Sequence, residues 1–360
     1  MKFYLDTQEA QGKGLLNKVA DSFNFMERLL ELQPGYLKQN PQVQSRLQAF
    51  REKDSAYLAH EFLNDIWEPS NFADMAKTFS EARLTYACPA DPARALFTLG
   101  LSENQRAFLN EIGDPVLQET VRDFLLNTQF RKDYWLKGAR RLGVHSRNAL
   151  LREESFALLT QADKVGREVK TAAGAMTLSE ASHQIVMRVL GDGKSHSLGE
   201  LEKAAQDLAS RQDAPADAGR ENLHTLAQVM CVLMDAGLAA PAQKKQDVIK
   251  ARPASDRLNA CIETLAIDSG AVSFLGSPLT GGGIAVNRFA MLFLLALRRG
   301  AKNADAMAAF ALECLNSAGQ HIVDNGEPVR DQAQALEYLK KQAATFAQAQ
   351  LPVLKNLLIA

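Results

Sequence analysis

The sequence predicts a mainly α protein with small β elements, an α+β chain built from several domains. Three observations carry this. Apolar side chains recur at helical spacing over long stretches, as at Leu15, Leu16, Val19, Phe23, Met26, Leu29 and Leu30. Capping patterns stand before helices at Ser102-x-x-Gln105, Thr177-x-x-Glu180 and Ser197-x-x-Glu200. Runs of extended type are short, as at Leu84 to Ala87 and Val272 to Leu275.

The elements follow in order. The first helix covers 15 to 33 and ends at Pro34-Gly35. A second covers Pro41 to Glu52. A third covers Tyr57 to Ile66 and closes at Glu68-Pro69, because the residue before proline is pushed out of the helical region. A fourth runs from Asn71 to Glu81, and Leu84 to Ala87 reads as a short strand. Ser102 opens a short helix. Asp114-Pro115 opens another, since proline suits the first helical turn; its apolar face holds Val116, Leu117, Val121, Phe124 and Leu125. Between Phe130 and Met176 the segments Tyr134-Leu136, Ser155-Leu159 and Glu168-Lys170 read as strands or loops.

From Thr177 onward a capping box precedes a helix containing Ile185, Val186, Val189 and Leu190, broken at Gly191-Asp192-Gly193. Ser197 opens a helix to Leu208, and residues 210 to 219 form a loop. A third helix with Leu223, Leu226, Ala227, Met230, Leu233 and Met234 stops at Gly237. Three helices and then Leu238-Ala239-Ala240 follow the order of a winged-helix unit. Lys244 to Ser255, polar and containing Pro253, reads as a linker. A strand at Val272 to Leu275, a long apolar helix from Val286 to Arg299 and helices at Ala304 to Ser317, Gln332 to Ala347 and Leu351 to Leu358 complete the chain. Asn325-Gly326 is a tight-turn signal.

Composition narrows the function. In 360 residues, 41 Lys+Arg nearly cancel 42 Asp+Glu, so no net field draws the chain to nucleic acid or anionic lipid. The four cysteines, Cys88, Cys231, Cys261 and Cys314, are far apart, with no clustered zinc spacing. They read as buried small apolar residues in a reducing compartment. The start is too polar for a secretory signal. The most apolar run, Phe289 to Leu297, has nine residues against the ~20 of a membrane span. The expectation is a soluble cytoplasmic protein without a membrane segment.

No motif assigns a catalytic, cofactor-binding or metal-ligating residue. Gly276-x-x-x-x-Gly281-Gly282-Gly283 approaches a phosphate loop, but Gly282 and Gly283 stand where lysine and a hydroxyl are needed. It reads instead as a flexible strand-to-helix turn. Gly12-x-Gly14 lacks the preceding strand and the third glycine of a dinucleotide fingerprint. His60-Glu61 starts like a zinc-protease motif, but Asn64 replaces the second histidine. The six histidines, at 60, 145, 183, 196, 224 and 321, form no i, i+4 pair. Glu153-Glu154 and Glu202-Lys203 read as solvated charges. Arg131-Lys132-Asp133-Tyr134-Trp135 with Lys137, Arg140 and Arg141 is the densest basic-aromatic patch. Two readings stay open for it: a docking surface for nucleic acid or protein, or a structural motif pairing Arg131 or Lys132 with an internal carboxylate such as Asp123. Over Thr177 to Ala240, five cationic residues face nine anionic ones, net −4. Duplex binding depends on neutralising phosphates, so this unit reads as built for protein contact or packing.

Several segments together resemble a known family. They are Tyr57-Leu58-x-His60-Glu61, Glu68-Pro69-x-x-Phe72, Leu84-x-Tyr86, Arg122-Asp123-Phe124 and Phe130-Arg131-Lys132-Asp133. They resemble the regulatory domain of bacterial S-adenosylmethionine-dependent methyltransferases of the protein-lysine type. Residues 177 to 240 and the tail, with SPLTGGGIAVNRFAMLFLLALRRG and QAQLPVLKNLLIA, are similar to later parts of the same architecture. The resemblance favours the structural reading of the Arg131 patch.

The resemblance implies a N-terminal helical segment (1–53), a methyltransferase-regulatory-like domain (54–176), a winged-helix-like domain (177–245) and a C-terminal helical domain (256–360). In that family a Rossmann-like catalytic domain precedes these parts, which serve oligomerisation and hold protein substrates. No cofactor-binding glycine loop is found upstream here. The expectation is therefore a non-catalytic accessory module that binds a methyltransferase catalytic domain, a protein substrate or its own copy, with no cofactor of its own. The alternatives are a winged-helix transcription-related protein, or an enzyme whose site assembles only in space.

Overall fold

A computed structural model describes residues 4, 7, 14–64, 66, 68–96, 100–171, 174–324, 327–329 and 331–360. Helices dominate and the strands are short, as expected of a mainly α chain. The chain forms two compact units, Met1–Met75 and Ala76–Ala360. The Asn325-Gly326 turn and Gly12 lie outside the described residues.

The first unit holds α1 (Leu15–Glu31), α2 (Gly35–Gln39), α3 (Pro41–Arg51) and α4 (Ser55–Phe62). Val19, Leu58 and Ala59 are its buried centre, with Phe23, Phe50, Phe62 and Leu63 against them. Asp54 caps α4 by accepting from the amides of Ala56 and Tyr57 at 2.9 and 3.0 Å. That helix ends earlier than Ile66. The Asn64 side chain donates to the His60 carbonyl at 2.7 Å and turns the chain before proline is reached. α5 (Phe72–Glu81) spans the boundary between the units.

The second unit starts with a two-stranded antiparallel pair, β1 (Leu84–Pro89) and β2 (Asp133–Lys137), with Tyr86 opposite Trp135. Between them lie α6 (Pro92–Ala95), α7 (Glu103–Glu111) and α8 (Pro115–Leu126). The Ser102–Gln105 capping box forms as predicted. α9 (Val144–Glu153) was not anticipated. β3 (Ser155–Leu158) follows, then the hairpin of β4 (Glu168–Thr171) and β5 (Gly174–Thr177).

Thr177 does not cap the next helix. It ends β5, and Ser179 instead accepts from the Ser182 amide at 2.9 Å to open α10 (Glu180–Leu190). Then come β6 (His196–Ser197), α11 (Leu198–Ala209) with its expected Ser197–Glu200 box, α12 (Leu223–Asp235) and β7 (Ala239–Ala242). The strands form one sheet in the order β6-β3-β7. Its central strand comes from upstream of the three helices, and β7 runs on into another helix rather than into a wing hairpin. The buried side chains of this lobe include Ile185, Leu190, Leu201, Leu226, Met230 and Leu233.

Lys244 to Ser255 is not a linker. It belongs to α13 (Lys245–Leu265), which carries Pro253 in its interior. Val248, Asn259 and Glu263 of this helix are buried, so tertiary packing outweighs the missing proline amide. Gly276 to Gly283 is no strand-to-helix turn but a β-hairpin of β8 (Phe274–Ser277) and β9 (Gly282–Ala285). α14 (Arg288–Arg298) is buried from Ala290 to Ala296 without a break, which makes the apolar run of this region a core helix. α15 (Ala304–Ser317), β10 (Ile322–Asp324), β11 (Glu327–Val329), α16 (Gln332–Thr345), a π-helical turn over Phe346–Gln350 and α17 (Leu351–Asn356) close around it. No helix among the described residues is long and apolar enough to cross a membrane. Of the cysteines only Cys314 is buried; Cys88 and Cys231 are half-buried and Cys261 is exposed, which corrects the uniform reading.

Candidate functional site

Asp114 accepts from the Leu117 amide at 2.7 Å and Pro115 takes the first helical position, so α8 starts where the sequence places it. Glu119, Arg122 and Asp123 then fall three and four residues apart on one face. Asn127, in a left-handed conformation, ends the helix, and the chain returns with Arg131 beneath that face.

Arg131 is the hub. Its Nη1 donates to Asp123 Oδ2 and its Nη2 to Glu119 Oε2, both at 2.9 Å. Its Nε donates to Asp133 Oδ2 at 2.9 Å, and Nη2 reaches Asp133 Oδ1 at 3.0 Å. The Tyr86 hydroxyl accepts from Arg131 and donates to Glu119, each at 3.1 Å. Buried Arg122 donates to Glu119 Oε1 at 3.4 Å and to the Arg94 carbonyl. β1, α8 and β2 thus meet on one guanidinium, and Arg122 ties α6 to the same network.

Burial pulls the Arg131 pKa down, and the bonds to Asp133, Asp123 and Glu119 outweigh it, so the group is held more firmly charged than usual. Burial and then the Glu119 charge push the Tyr86 hydroxyl up, against the pull of Arg131. The cleft beside the hub, lined in part by Asp91, Thr128 and Lys132, has about 20 Å³ of room. That is the space of a single water, far below a small-molecule site. The structural reading of the Arg131 patch, with Asp123 as partner, is the one that forms. Glu119, Arg122 and Asp133 complete the network; the i, i+3, i+4 spacing of 119, 122 and 123 was the available signal.

Because the polar face of α8 turns inward, its apolar face turns out. Phe124 is 81% exposed and Leu117 53%, and Phe130, just past the helix, is 75% exposed. Of the predicted apolar face, Val116, Leu117 and Phe124 are exposed, while Val121 and Leu125 are half-buried. The reason is energetic: unpaired carboxylates and guanidinium cost more to bury than the stripe gains, and here they are paired with one another.

His60, Gly14 and the Gly276–Gly283 hairpin belong to separate elements. Glu202 is not merely solvated, since Arg152 donates to it from Nε at 2.7 Å and Nη2 at 3.0 Å. His196 lies between Asp192 and Glu200, each ring nitrogen 3.0 Å from a carboxylate oxygen. Spacing of four residues on either side of His196 could have signalled it. Among the described residues, no group of three or more His, Cys, Asp or Glu is arranged so that it could hold a metal ion.

Residues 54–137 match the sequence family described as "Predicted methyltransferase regulatory domain". An uncharacterised protein of Synechocystis is 30% identical over 343 residues, covering 95% of this chain; the chain spans 65% of that relative's length. Among solved structures, PKMT2 of Rickettsia typhi in complex with AdoHcy has a similar fold. The TM-score is 0.60 at 15% identity, covering 99% of this chain and 71% of PKMT2. A further PKMT2 structure gives a TM-score of 0.53 at 14% identity, covering 96% of this chain and 70% of that one. The match over 54–137 contains Tyr86, Arg94, Glu119, Arg122, Asp123, Arg131 and Asp133, so the whole Arg131 hub lies within the matched segment.

Proposed function

We propose that the chain is an accessory, regulatory part of an S-adenosylmethionine-dependent methyltransferase of the protein-lysine type, and that the outer face of α8 docks the catalytic domain. One observation carries this reading: Leu117, Phe124 and Phe130 are exposed on a segment that the Arg131 hub anchors through Glu119 and Asp123. Exposed aromatic residues on a fixed frame are what a protein interface selects, because they bury large area at little entropic cost. The net −4 of residues 177–240 supports a protein partner over DNA. The hub's small cleft supports a framework role for that site rather than a reaction centre.

The test is capture of the methyltransferase from the organism's own cells with the tagged full chain, followed by photo-crosslinking to labelled S-adenosylmethionine. Wild type brings down a labelled polypeptide, and Phe124→Asp with Phe130→Asp loses it while keeping its melting temperature. Micromolar binding of S-adenosylmethionine to the isolated chain, by isothermal titration, would overturn the accessory reading.

A further inference from the structure

The turn between α10 and α11 carries an arrangement that the proposed docking role does not use. Asp192 accepts from the Lys194 amide at 2.9 Å, which fixes its carboxylate inside the turn. Glu200 accepts from the Ser197 amide at 2.7 Å and the Ser197 hydroxyl at 3.0 Å, which fixes its carboxylate at the first turn of α11. The His196 ring bridges the two, Nε2 to Asp192 Oδ1 and Nδ1 to Glu200 Oε1, both at 3.0 Å.

A neutral imidazole has one N–H. Two carboxylates can both accept from the ring only when it is the imidazolium. Loss of the proton sets a nitrogen lone pair against a carboxylate oxygen at 3.0 Å, and one contact must open.

The turn matters beyond itself. Gly191, Asp192 and Gly193 form one wall of a cleft of about 230 Å³ whose opposite wall is Pro352, Val353 and Asn356 of α17. Gly193 sits so close to the Asn356 amide that a Cβ there would collide with it. The turn is therefore a contact between the helical lobe and the C-terminal helix.

We propose that Asp192, His196 and Glu200 form a proton-operated latch that holds the 191–197 turn against the C-terminal helix. The charged groups at the ring are accounted for. Lys194 acts on Asp192 from within the turn. Phe156 is the cross-strand neighbour of His196 and carries no charge. Arg152 of α9 is engaged by Glu202, and Asn356 of α17 is neutral. Burial draws the imidazole down, while Glu200 and Asp192 outweigh it and raise it above its ordinary value. A raised histidine contributes stability that is present below its unfolded pKa and lost as pH climbs through the folded one.

Hydrogen exchange of the full chain, corrected for intrinsic rates and read on peptides covering 190–198, tests the latch between pH 5.5 and 8.5. Protection of the turn should fall as pH rises, by about tenfold for each unit separating the folded and unfolded values. His196→Gln should make that protection independent of pH. So should Asp192→Asn with Glu200→Gln, which keeps the helix cap because glutamine serves equally at that position. A flat wild-type profile, or variants that lose protection with pH as the wild type does, would overturn the proposal.

Discussion

Arg298 on α14 donates from Nε and Nη2 to both oxygens of Glu263 on α13, at 2.6 and 3.2 Å, and Glu263 is wholly buried. Four residues earlier on the same face, Asn259 donates to the Gly276 carbonyl at 2.9 Å and accepts from its amide at 2.7 Å. These polar pairs set how α13 lies on α14 and β8, because a shift by one helical position would strand a buried charge.

Arg298→Ala should therefore cost about 3–5 kcal/mol, the penalty of leaving a buried carboxylate alone. Urea denaturation checks it. Replacing both partners, Glu263→Leu with Arg298→Met, should recover most of the loss.

The same pair gives a pH dependence. Burial raises the Glu263 carboxyl and Arg298 reverses this only in part. A raised acid holds its proton more tightly in the folded state, so its contribution is present below the ordinary carboxylate value and fades as pH rises through the folded one. Glu263→Gln should flatten that part of the stability profile, measured by unfolding midpoints across pH 4 to 7.

Arg131→Ala should destabilise the second unit by about 3–5 kcal/mol, since three inward carboxylates lose their common partner. Arg131→Lys should recover little of it. A single ammonium cannot present the planar fork that reaches Glu119, Asp123 and Asp133 together. Tyr86→Phe should cost about 1 kcal/mol, the bridging bonds being charge-assisted but partly replaceable. Calorimetric melting of the three variants ranks them.

Pro253→Ala should stabilise. An interior helix proline costs about 3 kcal/mol and returns about 1 by stiffening the unfolded chain, so a gain of about 2 kcal/mol is expected. An unchanged or lower melting temperature would show that α13 exploits a kink there.

Gly193→Ala should cost roughly 1–3 kcal/mol, because Gly193 has φ +75° and its Cβ would strike Asn356. Adding Asn356→Ala should relieve only the collision, leaving the backbone term, and a double-mutant cycle separates the two.

Local signals in this chain were well legible. The caps at Ser102, Asp114 and Ser197 and the boundaries of α3, α5 and α15 follow from spacing and side-chain chemistry that act within one turn. The Arg131–Asp123 pair was one of two readings the residues left open, and the Trp135 segment was readable as a strand. Thr177 misled because Ser179, two residues later, offers the same cap chemistry on the helical side of β5.

The sequence by itself determined the helix starts at Ser102, Asp114 and Ser197 and that the chain is mainly α, since both depend on neighbours a few residues away. Only the tertiary structure decided that α8 turns Glu119 and Arg122 inward and Phe124 outward, that β3 enters between β6 and β7, and that Pro253 sits inside a helix. Each of these rests on partners far along the chain: Arg131 for the carboxylates, Ala239–Ala242 for β3, Arg298 and Gly276 for α13. Periodicity shows that a helix has two faces. Which face is buried is settled by whether the polar one finds its charges a match.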